Sequence, residues 1–114
     1  AVLRALYAAG VPIVAGTDKA VPGHSLHREL ELYVQAGLTP MQVIQIATSG
    51  AAKVMRVDRE VGTVEAGKRA DLILVKGNPL ERFSDLRRVA KVITGGRVYD
   101  PAELWKSAGF APVD

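Results

Sequence analysis

At 114 residues, 48% hydrophobic and 24% charged, the chain has the composition of one small globular domain, neither disordered nor membranous. A net charge of +3 is mild, and no apolar run approaches the roughly 18 residues that a membrane-spanning helix needs. Zero cysteines exclude a disulfide frame and a thiolate metal site, and fit a reducing compartment such as the cytoplasm.

The chain opens on Ala1-Val2-Leu3-Arg4-Ala5-Leu6-Tyr7-Ala8-Ala9, helical in composition, with no Met, cap or signal peptide ahead of it. It is therefore expected to be a fragment entered partway through a helix. Export stays open, because any signal would precede Ala1. Leu3, Leu6 and Tyr7 form one stripe of this helix, Gly10 supplies its C′ position, and Pro12 blocks continuation. A near-continuous apolar run follows and predicts a strand over about 11–16, buried on both faces as in a parallel sheet. It leads through Gly16 and Thr17 to Asp18. A buried strand with an acid at its C-terminal tip is where α/β barrels place their chemistry. Asp is equally a turn residue and helix cap, and the local sequence leaves both readings open.

Lys19 to Gly23 is turn-rich, and 24–36 reads as a helix. Leu26, Leu30, Tyr33 and Val34 share a face, with Arg28, Glu29, Glu31 and Gln35 mostly outside it. After Gly37 the next start is well marked. Thr39 at the N-cap, Pro40 at N1 and Gln42 at N3 make a capping box, and Leu38 and Val43 occupy the hydrophobic staple positions. Thr48 or Ser49 is expected to cap a short turn over 50–55, whose small residues allow close packing. Near Asp58 the pattern becomes β-rich. Val61 to Val64 leads into a turn at Glu65 to Lys68, then a strong strand over 70–75. Strands at 89–94 and 97–99 flank Gly95-Gly96, a hairpin signal, and Asp100 and Pro101 open a last helix.

Several motifs carry less than they suggest. Gly62 to Lys68 has the spacing GxxxxGK, but Arg69 stands where a magnesium-binding hydroxyl belongs, and a strand follows instead of a helix. Arg87, Arg88 and Lys91 interleave with Val89, Ala90 and Val92 as a solvated strand face does, without the aromatic platform of a nucleic-acid groove. Ser25 has no obvious base and no Gly-x-Ser-x-Gly elbow. His24 and His27 share one side of a helix start. Their spacing permits metal binding, but solvent exposure or substrate contact at the rim is the simpler role, since no HExxH pattern surrounds them.

Three stretches in order resemble the C-terminal part of the amidohydrolase superfamily, near its imidazolonepropionase- and prolidase-like members. They are Val14-Ala15-Gly16-Thr17-Asp18 with Pro22-Gly23; His27 to Leu32 through Gly37-Leu38-Thr39-Pro40, with Ala47-Thr48 and Ala51-Ala52; and Val61 to Leu74 with Gly77-Asn78-Pro79-Leu80 and Gly95-Gly96-Arg97-Val98. The resemblance implies an α/β fold: the last βα segment of a (β/α)8 TIM barrel over 1–58, part of a small composite β-sandwich over 59–100, and a C-terminal helix and tail over 101–114. It implies that Asp18 ligates a divalent metal, usually zinc, and carries the catalytic proton. Gly16, Thr17, His24 and His27 then face an amide-type small-molecule substrate. The family's His-x-His pair and intermediate ligands have no match here, and one carboxylate cannot close a shell of about four zinc ligands. The chain alone is expected to be inactive. Its uncovered Ile13, Val14, Leu72, Ile73 and Leu74 are expected to drive self-association or docking on the complementary N-terminal part of the barrel, with no membrane or nucleic-acid partner. The competing reading is a non-catalytic α/β module whose apolar faces serve association.

Overall fold

The computed structural model describes residues 2–18 and 21–111, which fall into two compact units dividing between Lys68 and Arg69. The expected turn residues Lys19 and Ala20, and the last three residues of the tail, lie outside the described residues.

The first unit is helical. Helix α1 spans Val2–Ala8 and ends at Gly10, as the C′ glycine and Pro12 require. It buries no residue: the stripe of Leu3, Leu6 and Tyr7 is at most half-covered. The run expected as a strand over 11–16 is extended but forms no ladder among the described residues. A strand exists through its neighbour's hydrogen bonds, and none of the described residues supplies one.

Helix α2 (Ser25–Gln35) and helix α3 (Pro40–Gln45) carry the core. Leu30, Leu38, Val43, Ile46 and Ala52 are its buried hydrophobic residues, with Val43 fully enclosed. The α3 start forms as its sequence dictates. The Gln42 N–H donates to Thr39 Oγ1 at 3.2 Å, and the Thr39 N–H donates to Gln42 Oε1 at 2.9 Å. Both staple residues, Leu38 and Val43, are buried beneath it. Replacing Thr39 with alanine is expected to lower stability by about 1 kcal/mol, read from denaturant midpoints at unchanged slope.

The expected break before residue 50 does not occur. The Thr48 hydroxyl turns back to donate to the Ile44 carbonyl at 2.7 Å, so it caps nothing ahead of it. The backbone instead runs through a single π-helical turn, Ile46–Gly50, into helix α4 (Ala51–Val54). The small residues there do allow close packing: a Cβ on Gly62 would sit 2.6 Å from Ala52 Cβ and 3.2 Å from Ser49 Cα. Residues 61–64, read as the lead-in to a sheet, form bends and extended chain with no strand.

The second unit is a three-stranded antiparallel sheet in the order β1-β2-β3, formed by Leu72–Val75, Val89–Thr94 and Arg97–Tyr99. The Gly95-Gly96 turn joins β2 to β3 with both φ angles positive (56° and 73°), the geometry that made this dipeptide a hairpin signal. A 3-10 helix, Phe83–Arg87, precedes β2 and places Asp85 in the interior, 5% exposed. Its carboxylate accepts from Arg82 Nε at 2.8 Å and from the Asn78 N–H at 3.1 Å. The Arg82 hydrogen bond is the main cause holding the Asp85 carboxyl below its usual range. Helix α5 (Pro101–Ser107) starts as expected, with the Asp100 carboxylate accepting from the Ala102 N–H at 2.9 Å. Among the described residues this unit buries no hydrophobic side chain, and Ile73 and Leu74 remain about half exposed.

Candidate active site

The expected site begins where residues 12–18 run out from α1. Gly16 is exposed, Thr17 half-buried and Asp18 exposed. Asp18 adopts φ 57°, the left-handed region that an L-residue enters at some cost and that Asp tolerates better than most. The chain then closes the turn that launches α2. The His24 and Ser25 N–H groups both reach the Val21 carbonyl at 3.1 Å, and the Val21 N–H donates to Ser25 Oγ at 2.7 Å. The serine hydroxyl thus serves the turn. His24 stands exposed at the helix N-cap without a side-chain capping bond, and His27 lies one turn on, half-buried.

Sequence reasoning assigned Glu29 to the outer side of α2, and this is corrected. Glu29 is half-buried, and its Oε1 accepts the Gly16 N–H at 3.0 Å across thirteen residues. The same oxygen accepts the hydroxyl of Tyr33, one turn further along the helix. The second oxygen, Oε2, is buried with no hydrogen-bond partner among the described residues. Burial first, then the hydrogen bond to Glu29 and its charge, push the Tyr33 hydroxyl up to about 12. Tyr33 therefore remains a protonated donor at neutral pH. The available signal was the i, i+4 spacing of Glu29 and Tyr33, which sets the carboxylate beside a residue of the inner face.

Glu29 therefore joins α2 to the segment that carries Asp18. The structure does not gather Asp18, His24, His27 and Glu29 into a metal centre. Among the described residues no group of three or more His, Cys, Asp or Glu side chains could hold a metal ion. By themselves these residues do not fit zinc, which needs about four ligands; Asp18 offers one carboxylate. An open cavity of about 740 Å³ lies in the same unit, lined by Tyr7, Val11, Ile13, Ile46 and Ser49 among others, and includes none of the four.

The phosphate-loop imitation is tied up internally. Lys68 Nζ donates to the Asp58 carbonyl at 2.7 Å and to Thr63 Oγ1 at 2.6 Å, and pairs with Glu65 at 2.9 Å. The Thr63 hydroxyl in turn donates to Glu65. No helix N-terminus follows this turn; the next element is β1. No helix among the described residues is long and apolar enough to cross a membrane.

Residues 1–99 match the amidohydrolase family. The chain is 38% identical over 93 residues to adenine deaminase 1 of Latilactobacillus sakei, covering 79% of this chain and 15% of that enzyme. It is 31% identical over 103 residues to the imidazolonepropionase of Shouchella clausii, covering 83% and 23%. Among solved structures, a Xaa-Pro dipeptidase with methionine bound in its active site matches at a TM-score of 0.78 and 42% identity, covering 87% of this chain and 25% of that one. The chain thus spans a quarter or less of the length of these relatives. Both branches of the family named from the sequence, imidazolonepropionase-like and prolidase-like, are represented. This chain belongs to the amidohydrolase family.

Proposed function

We propose that residues 1–114 are the C-terminal portion of a metal-dependent amidohydrolase that hydrolyses a C–N bond in a cyclic amide, an amidine-like compound or a dipeptide. On this reading 1–58 closes a (β/α)8 barrel, with 11–16 becoming its last strand once a neighbouring strand is present. Residues 59–100 then contribute part of a composite β-sandwich. The observation that carries the reading is the family match through residue 99, with an acid in left-handed conformation directly after an extended apolar run.

Asp18 is the chemical residue. Its carboxylate takes a proton from the water that attacks the substrate carbon, then gives it to the departing nitrogen as the C–N bond breaks. A divalent metal, zinc first among them, would acidify that water, with its remaining ligands drawn from chain outside these residues. Gly16, Thr17, His24 and His27 face the substrate. Thr17 also steadies the Asp18 carboxylate.

The test is zinc content and hydrolysis of Xaa-Pro dipeptides, cyclic amides and aminopurines, for the 114-residue chain and for the longest reading frame containing it. The expected outcome is metal and turnover in the longer polypeptide, both removed by chelator, with neither in the short chain. A longer polypeptide that binds no metal and turns over none of these substrates would count against the proposal. That outcome would favour the second reading, a non-catalytic association module. The exposed Met55, Val64 and Val98 (69%, 82% and 66%) are the observation in its favour.

A further inference from the structure

Residues 12–18 receive no strand ladder among the described residues, yet Asp18 must hold one backbone conformation to act. The Glu29 carboxylate supplies a tertiary hydrogen bond to this segment, 3.0 Å from the Gly16 nitrogen. We infer that Glu29 is a positioning residue for Asp18: held on α2 by the Tyr33 hydroxyl, it fixes the Gly16 N–H and with it the two residues that follow.

Three features support this. The acceptor is an ionisable carboxylate, and a charge-assisted bond to a backbone N–H is stronger and shorter than a neutral one. Tyr33 shares the same oxygen, so the carboxylate's rotamer is set from its own helix and its remaining freedom is small. The left-handed Asp18 is two residues away, and such a conformation persists only where its surroundings over-determine it. On this assignment Glu29 acts through Gly16.

The inference rests on the proposed role of Asp18, so its test is run in the longer polypeptide with Asp18→Asn as a companion. Glu29→Ala is expected to speed exchange of the Gly16 amide by about tenfold or more while amides of α3 keep their rates. It is expected to lower kcat by about 10- to 100-fold with little change in KM, because Asp18 is mispositioned and binding is not lost. Glu29→Gln keeps an acceptor oxygen in the same place and is expected to recover most of both. Tyr33→Phe, which keeps the core filled, is expected to fall between Gln and Ala. Wild-type Gly16 exchange and kcat in Glu29→Ala would overturn the inference, as would a Gln variant as impaired as Ala. If Asp18→Asn is inactive while Glu29→Ala is normal, only this inference fails. If Asp18→Asn is fully active, the proposed function fails and takes the inference with it.

Discussion

Asp18→Asn, made in the longest reading frame containing this chain, is expected to lower kcat by about 10²- to 10⁴-fold, the range that loss of a positioned proton carrier produces. Asparagine matches the shape of aspartate and tolerates the same left-handed backbone, so the change leaves the φ 57° geometry in place. What it removes is the capacity to accept a proton and the negative charge offered to a metal. The two losses separate experimentally. If bound metal falls with kcat, the carboxylate acts as a ligand; if metal stays and kcat falls, it acts on the proton. Wild-type turnover in the variant would remove Asp18 from the mechanism.

Gly62→Ala is expected to destabilise the first unit by about 2–4 kcal/mol, through left-handed strain in a non-glycine residue and overpacking against a helix. Gly62 holds φ 97°, and its added methyl would meet Ala52 Cβ at 2.6 Å, Ser49 Cα at 3.2 Å and the Thr48 carbonyl oxygen at 3.3 Å. Two of these are backbone atoms, and Ala52 is buried, so no flexible side chain can swing aside. Denaturant unfolding of Gly62→Ala beside Gly67→Ala checks the origin of the loss. Gly67 also has positive φ, at 88°, but a Cβ there meets nothing within 4 Å. The difference between the two variants isolates the packing contribution. Equal losses would show that backbone strain alone is at work.

Much of the local structure was legible in the residues. The Thr39–Gln42 capping box, the Leu38–Val43 staple, the Gly95-Gly96 turn and the Asp100-Pro101 helix start each join groups at most a few residues apart. Their hydrogen bonds are set by which side chains stand beside which N–H, and the sequence lists those directly. The family, too, follows from an ordered set of such short stretches.

Other features turned on which of several available partners the folded chain supplies. Residues 11–16 have the composition of a buried strand, yet form no ladder because a ladder is a property of two segments. Thr48 chose the Ile44 carbonyl behind it over the N–H groups ahead, and the helix continued through a π turn. Asp85 carries no motif, and the fold buries it beside the Arg82 guanidinium and the Asn78 N–H.

By itself the sequence determined the starts of α3 and α5 and the hairpin, because short-range hydrogen bonds need only neighbours along the chain; the resemblance carried by its ordered motifs pointed to the family and to Asp18 as a candidate. Only the tertiary structure decided that Glu29 turns inward to hold Gly16, since helix periodicity fixes which side of α2 a residue occupies and not what is packed there. The side chain that steadies the candidate acid thus lies eleven residues beyond it, on an element whose pattern pointed it towards solvent.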